Sequence, residues 1–61
     1  SHTMQALTEE NAEDGMIIQN KNHPDWGKWQ LERTTAGHWV IHSGRRHRQL
    51  APGEFHFWEV V

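Results

Sequence analysis

Residues 28–50 read KWQLERTTAGHWVIHSGRRHRQL. Three short segments here alternate apolar and polar side chains, and turn formers separate them. KWQLERT, 28–34, sets Trp29, Leu31 and Arg33 on one side and Gln30, Glu32 and Thr34 on the other. A period of two is the period of a strand, because successive side chains point to opposite faces. TAG then turns the chain. HWVIH, 38–42, sets Trp39 and Ile41 against His38, Val40 and His42. SGR is a tight-turn signal, and RHRQLA continues as a further short strand.

The same reading extends outward. MIIQN, 16–20, is a β-branched run after Gly15. KNHPDWGK is dense in turn formers (Asn22, Pro24, Asp25 and Gly27), and Pro24 pushes His23 toward extended geometry. PGE is another turn, and FHFWEVV, 55–61, reads as the last strand. No segment of 16–61 sustains a helical period, and no internal repeat is present. Short strands with frequent turns point to an all-β domain. The chain is too short for a sandwich of two full sheets. The expected fold is therefore a small five-stranded, strongly bent antiparallel barrel arranged as a meander.

GMIIQNKNHPDWGKWQLER, with its strand after a glycine and its turn carrying Pro and Gly, resembles the opening of Src-homology-three-like small barrels. That group includes KOW, Tudor and chromo-barrel modules. The run of valines usual in their first two strands is thin here, and no aromatic cage for methylated lysine can be read. The resemblance implies a fold and a binding role and names no ligand.

At 61 residues the chain holds one domain at most. SHT reads as the end of a purification tag, with Met4 as the start. QALTEENAEDG, 5–15, carries four acids, no base and little apolar surface. Burial there cannot offset the entropy of ordering. Residues 1–14 are therefore expected to be a tag remnant and flexible acidic arm, and residues 15–61 the barrel domain. So small a domain buries only about 60% of the surface its unfolded chain exposes. With no cysteine, disulfides and Cys-based zinc sites are excluded. The four tryptophans and two phenylalanines are bulky enough for a few of them to fill a very small core, and oligomerisation or a metal are the other routes to stability.

The net charge of −2 is unevenly placed. Glu9, Glu10, Glu13 and Asp14 face no base in residues 1–15, whereas six bases oppose Asp25, Glu32, Glu54 and Glu59 in 16–61. A mildly basic domain beside an acidic segment suggests an anionic partner, or an arm that covers a basic face. No apolar run approaches a membrane span, and no secretory signal is present. A soluble cytoplasmic protein without a membrane partner is the expectation.

Two clusters carry the functional candidates. His38 and His42 stand four apart but lack the glutamate of an H-E-x-x-H site. On a strand they lie about 13 Å apart, too far to share an ion. His42 and His47 flank the SGRR turn and can face each other across a hairpin. No metal or other cofactor is expected. In RRHR, 45–48, guanidinium groups match phosphate oxygens. Alternation sends Arg45 and His47 one way and Arg46 and Arg48 the other. The run also fits a solvated sheet edge guarded against aggregation. Low net charge argues against tight non-specific binding.

The aromatic residues form the second cluster. Trp29 and Trp39 belong to the core by their alternation. Trp26 is either a lid on the barrel end or an exposed anchor. FHFWEVV is apolar on both faces, with Phe55, Phe57 and Val61 against Trp58 and Val60. Such a strand is buried on both sides or meets a second copy. No nucleophile, phosphate loop or paired carboxylate suggests catalysis. The expectation is a non-catalytic module contacting nucleic acid through Arg45, Arg46 and Arg48, with His38, His42 and His47. The alternative is a protein-interaction or homo-oligomeric module using Trp26, Phe55, Phe57 and Trp58.

Overall fold

The computed structural model describes residues 5–61, so SHTM, with the expected tag remnant and start, lies outside the described residues. The strands are β1 (Gln5–Ala6), β2 (Ile17–Asn20), β3 (Lys28–Arg33), β4 (Trp39–Ser43), β5 (Arg46–Gln49) and β6 (Trp58–Val60). They form one antiparallel sheet in the order β1-β6-β2-β3-β4-β5. The all-β, antiparallel architecture is as expected. Among the described residues the strands number six and not five, and the sheet is open and not closed into the expected barrel, with β1 and β5 at its edges.

The alternation in the central strands becomes burial. Trp29 and Leu31 of β3 and Ile41 of β4 are buried, while Gln30 and Glu32 face out. Leu31 pairs with Ile41, and Ile18 pairs with both Trp29 and Val60. Residues opposite each other in an antiparallel pair share a face. One side of the sheet thus gathers Ile18, Trp29, Leu31, Ile41 and Trp58, and Leu7, Leu50 and Phe55 complete the core. Gly15 and Met16 both bond Leu31, with Gly15 at φ +87°, which is a glycine β-bulge that bends the sheet.

The sixth strand comes from the segment expected to be a flexible arm. Gln5 and Ala6 pair with Val60 and Glu59, and Leu7 N–H donates to the Trp58 carbonyl at 3.1 Å. Leu7 is only 1% exposed. Thr8 and Asn11 then cap each other: Asn11 Oδ1 accepts from Thr8 N–H at 2.8 Å, and Thr8 Oγ1 from Asn11 N–H at 3.1 Å. The Asp14 carboxylate accepts from Arg33 N–H at 3.0 Å. One leucine and a few local caps hold down a segment whose overall composition is polar.

The C-terminal region also departs from expectation. FHFWEVV is not one strand: Pro52–Phe57 is a 3-10 turn, and only Trp58–Val60 extends. Pro52 favours a helical start, since its φ is preset and its missing N–H is not needed there. Glu54 Oε1 accepts from Ala51 N–H at 3.2 Å. Three residues per turn bring Phe55 and Trp58 to one side. Both are buried, at 3% and 2%, while Phe57 stands 42% exposed. The apolar excess on both faces of this segment comes from the change of period.

Candidate functional site

The β4–β5 hairpin carries most of the candidate residues. Its register pairs Ile41 with Arg48, His42 with His47 and Ser43 with Arg46. Gly44 and Arg45 form the two-residue loop, with φ +63° at Gly44 and no positive φ at Arg45, the signature of a type II′ hairpin turn. Arg46 and Arg48 therefore lie on the core-side face with Ile41. His42 and His47 lie on the opposite face. Arg45 is exposed at the turn. His38 is exposed at the other end of β4, where Thr34 Oγ1 accepts from its N–H at 3.1 Å.

The six residues expected to act together are thus divided among two faces and two ends. On the outer face, His42 and His47 have ring centroids 5.9 Å apart, and Glu32 Oε2 lies 3.7 Å from His42 Nε2. Carboxylates of Asp14 and Glu32 share that hollow, which disfavours an anion there. Among the described residues, no group of three or more His, Asp or Glu is placed to hold a metal ion.

On the inner face the arginines meet the tryptophans. A groove of about 440 Å³ is walled by Trp26, Trp29, Ile41, Arg46, Arg48 and Trp58, with His47, which also borders the outer hollow, at its edge. The Arg46 guanidinium carbon lies 4.9 Å from the Trp29 ring centroid, and Trp58 meets Trp29 edge-on at 6.0 Å. Arg48 Nη2 donates to Glu54 Oε2 at 3.2 Å. A second hollow of about 240 Å³ shares Trp26, Arg48 and Trp58 and adds Asn20, His23 and Phe57. His23 stacks on one face of Trp26, with centroids 4.1 Å apart and planes 8° from parallel. Trp29 Nε1 is buried and has no hydrogen-bond partner among the described residues.

The aromatic candidates are reassigned accordingly. Phe55 and Trp58 are core and cannot form an exposed face, because the 3-10 turn directs both inward. Trp26 is half-buried against the core and walls the groove, and Phe57 is exposed. Trp29, expected in the core alone, and Asn20 and Glu54, with no expected site role, also line these hollows. The signal for Trp29 was present: the two-residue turn after Ser43 puts Arg46 and Arg48 on the face of Ile41, hence of Leu31 and Trp29. No family model, curated protein or solved structure matches the chain. No helix among the described residues is long and apolar enough to cross a membrane.

Proposed function

We propose that this chain is a non-catalytic module that binds single-stranded nucleic acid in the tryptophan and arginine groove. The observation that carries this reading is the meeting of Arg46 and Arg48 with Trp26, Trp29 and Trp58 in one groove. Single-strand binders combine cationic contacts to the backbone with aromatic platforms for bases. Arg46 and Arg48 are the phosphate contacts, and Trp26 is the platform. Arg45, exposed at the hairpin tip, extends the basic surface. His47 borders the groove between the two arginines, whereas His38 and His42 lie outside its lining. The scaffold in this reading is of the Src-homology-three-like type. Its support is the order β6-β2-β3-β4-β5, with a 3-10 turn before the last strand. The proposed place of action is the cytoplasm.

Charge sets the expected strength. Glu54 already neutralises Arg48 in part, and the whole chain is net negative. Binding should be weak and carried by few phosphates. The test follows the anisotropy of a labelled single-stranded oligonucleotide across a salt series. Each phosphate contact contributes a slope of about −0.7 in log K against log salt. Two contacts give about −1.4, and Arg46→Ala with Arg48→Ala together should abolish the salt-dependent part. No binding by the parent at low salt overturns the proposal. A second reading, contact with a protein partner, draws on the exposed Phe57 beside Trp26 in the adjoining hollow. Binding confined to protein ligands, with none to oligonucleotides, would favour it.

A further inference from the structure

A buried donor without an acceptor is the least expected group in this interior. Trp29 is only 4% exposed, yet its indole Nε1–H has no partner among the described residues. Such a group forfeits its hydrogen bonds to water and gains nothing in return. Most buried polar groups in native structures are paired, so each exception calls for a cause. Packing alone does not call for the nitrogen, since a ring without it would fill the same space. Three further observations bear on the same place. Trp29 is part of the groove wall. The Arg46 guanidinium, carried on the exposed edge strand β5, covers the Trp29 ring. The Trp26 indole has one face taken by His23 and also walls the groove.

We infer that the groove is a pocket for one unstacked nucleobase, with Trp29 Nε1–H as the donor that recognises its edge. This inference rests on the proposed single-strand reading and specifies which part of the ligand the site recognises. The base stacks on the face of Trp26 that His23 leaves free. An in-plane acceptor of that base, a keto oxygen or a ring nitrogen, takes the Trp29 N–H. Arg46 moves off the Trp29 ring as the base enters and turns to the flanking phosphate. A cation held over an indole by a cation–π contact is only weakly retained, so a phosphate can recruit it. The stacking and the hydrogen bond act on different tryptophans because an indole N–H lies in the ring plane. A base stacked on Trp29 itself could not accept from it.

The discriminating change removes the N–H and keeps the shape. Synthetic protein with 3-benzothienylalanine at position 29 replaces the N–H by sulfur in a ring of nearly the same size, and Trp29→Phe is the genetically encoded counterpart. Each is compared with the parent on a thymidine oligonucleotide and on a strand of equal length whose central sugars are abasic. Thermal melts of the free proteins accompany the titrations. The expected result is five- to tenfold weaker binding of the thymidine strand, the scale of one lost hydrogen bond. Binding to the abasic strand stays the same, and the benzothienyl protein melts no lower than the parent. A parent that binds both strands, with the benzothienyl protein binding each equally well, overturns the base pocket and leaves the single-strand reading standing. A parent that binds neither strand at low salt overturns both.

Discussion

Asn20 shows how one side chain links the core to the groove. It is 6% exposed, and its Oδ1 accepts from Asn22 N–H at 2.9 Å and His23 N–H at 3.1 Å. Those two bonds fix the loop that lays His23 against Trp26. Asn20→Ala strands two backbone donors, at about 1–3 kcal/mol each if they stay dry. Water reaching the exposed loop relieves part of that. A loss of about 1–3 kcal/mol in urea unfolding is expected, with weaker oligonucleotide binding as His23 loses its place. Unchanged stability would show that the turn holds without the side chain. Tryptophan substitutions should rank by burial. Trp58→Ala removes a side chain 2% exposed and costs about 3–5 kcal/mol. Trp39 was assigned to the core by alternation, but it is half-buried, edge-on to Phe55 at 6.3 Å and covered by Arg33 at 5.2 Å. Trp39→Ala should cost distinctly less, and equal midpoints in denaturant for the two variants would contradict that ranking. The alternation assigned Trp39 its face. It did not reveal that Trp39 lies where the sheet's cover thins, because that depends on where Phe55 and Leu50 arrive.

Among the elements, the β4–β5 hairpin fixes which arginines enter the groove, and its turn fixes the register. Gly44 has φ +63°, and apart from its chain neighbours no atom of the described residues lies within 4 Å of where a Cβ would stand, so conformation and not crowding demands glycine. An L-residue meets a steric penalty there that a D-residue avoids. Gly44→Ala should destabilise by about 1 kcal/mol, on the scale of about 1–2 kcal/mol for left-handed L-residues. D-alanine at the same place should not, and matched thermal melts of the two synthetic proteins check this. Equal melting would mean that the turn can change type without loss. This hairpin, β2 and β3 were legible because strand alternation, β-branched runs and Gly or Pro turns agree in them. Two elements were not. β1 is two residues long, too short to show any period. The Pro52–Phe57 turn hides in an aromatic run that satisfies a two-residue pattern as well as a three-residue one. Only Pro52 at its head and Glu54 two residues later distinguish it. The site suffered the same loss. Arg46 and Arg48 could be paired by parity, but the convergence of Trp26, Trp29 and Trp58 needed both 3-10 turns in place.

For the whole molecule, the question is whether residues 5–14 belong to the folding unit. A chain of 61 residues has little stability in reserve, about 3–9 kcal/mol at about 0.05–0.15 kcal/mol per residue. Leu7 lies in the core at 1% exposure, and β1 just before it pairs with the edge of β6 opposite β2. Truncating a buried leucine costs about 2–5 kcal/mol through lost transfer free energy and the cavity left behind. In a domain this small each kcal/mol moves the melting midpoint by about 4–8 °C. Leu7→Ala should therefore lower the midpoint by at least about 8 °C. Deleting residues 1–13 should do more, since it also uncovers the outer backbone of β6 next to Trp58. Glu9→Gln and Glu10→Gln serve as controls, because both side chains are exposed and neither forms an ion pair among the described residues. They should leave the melt in place while adding positive charge relative to the parent, and oligonucleotide affinity at low salt should rise slightly. If Leu7→Ala melts with the parent, residues 5–14 are a tail, the sheet is a five-strand unit, and β6 carries a free edge open to another chain.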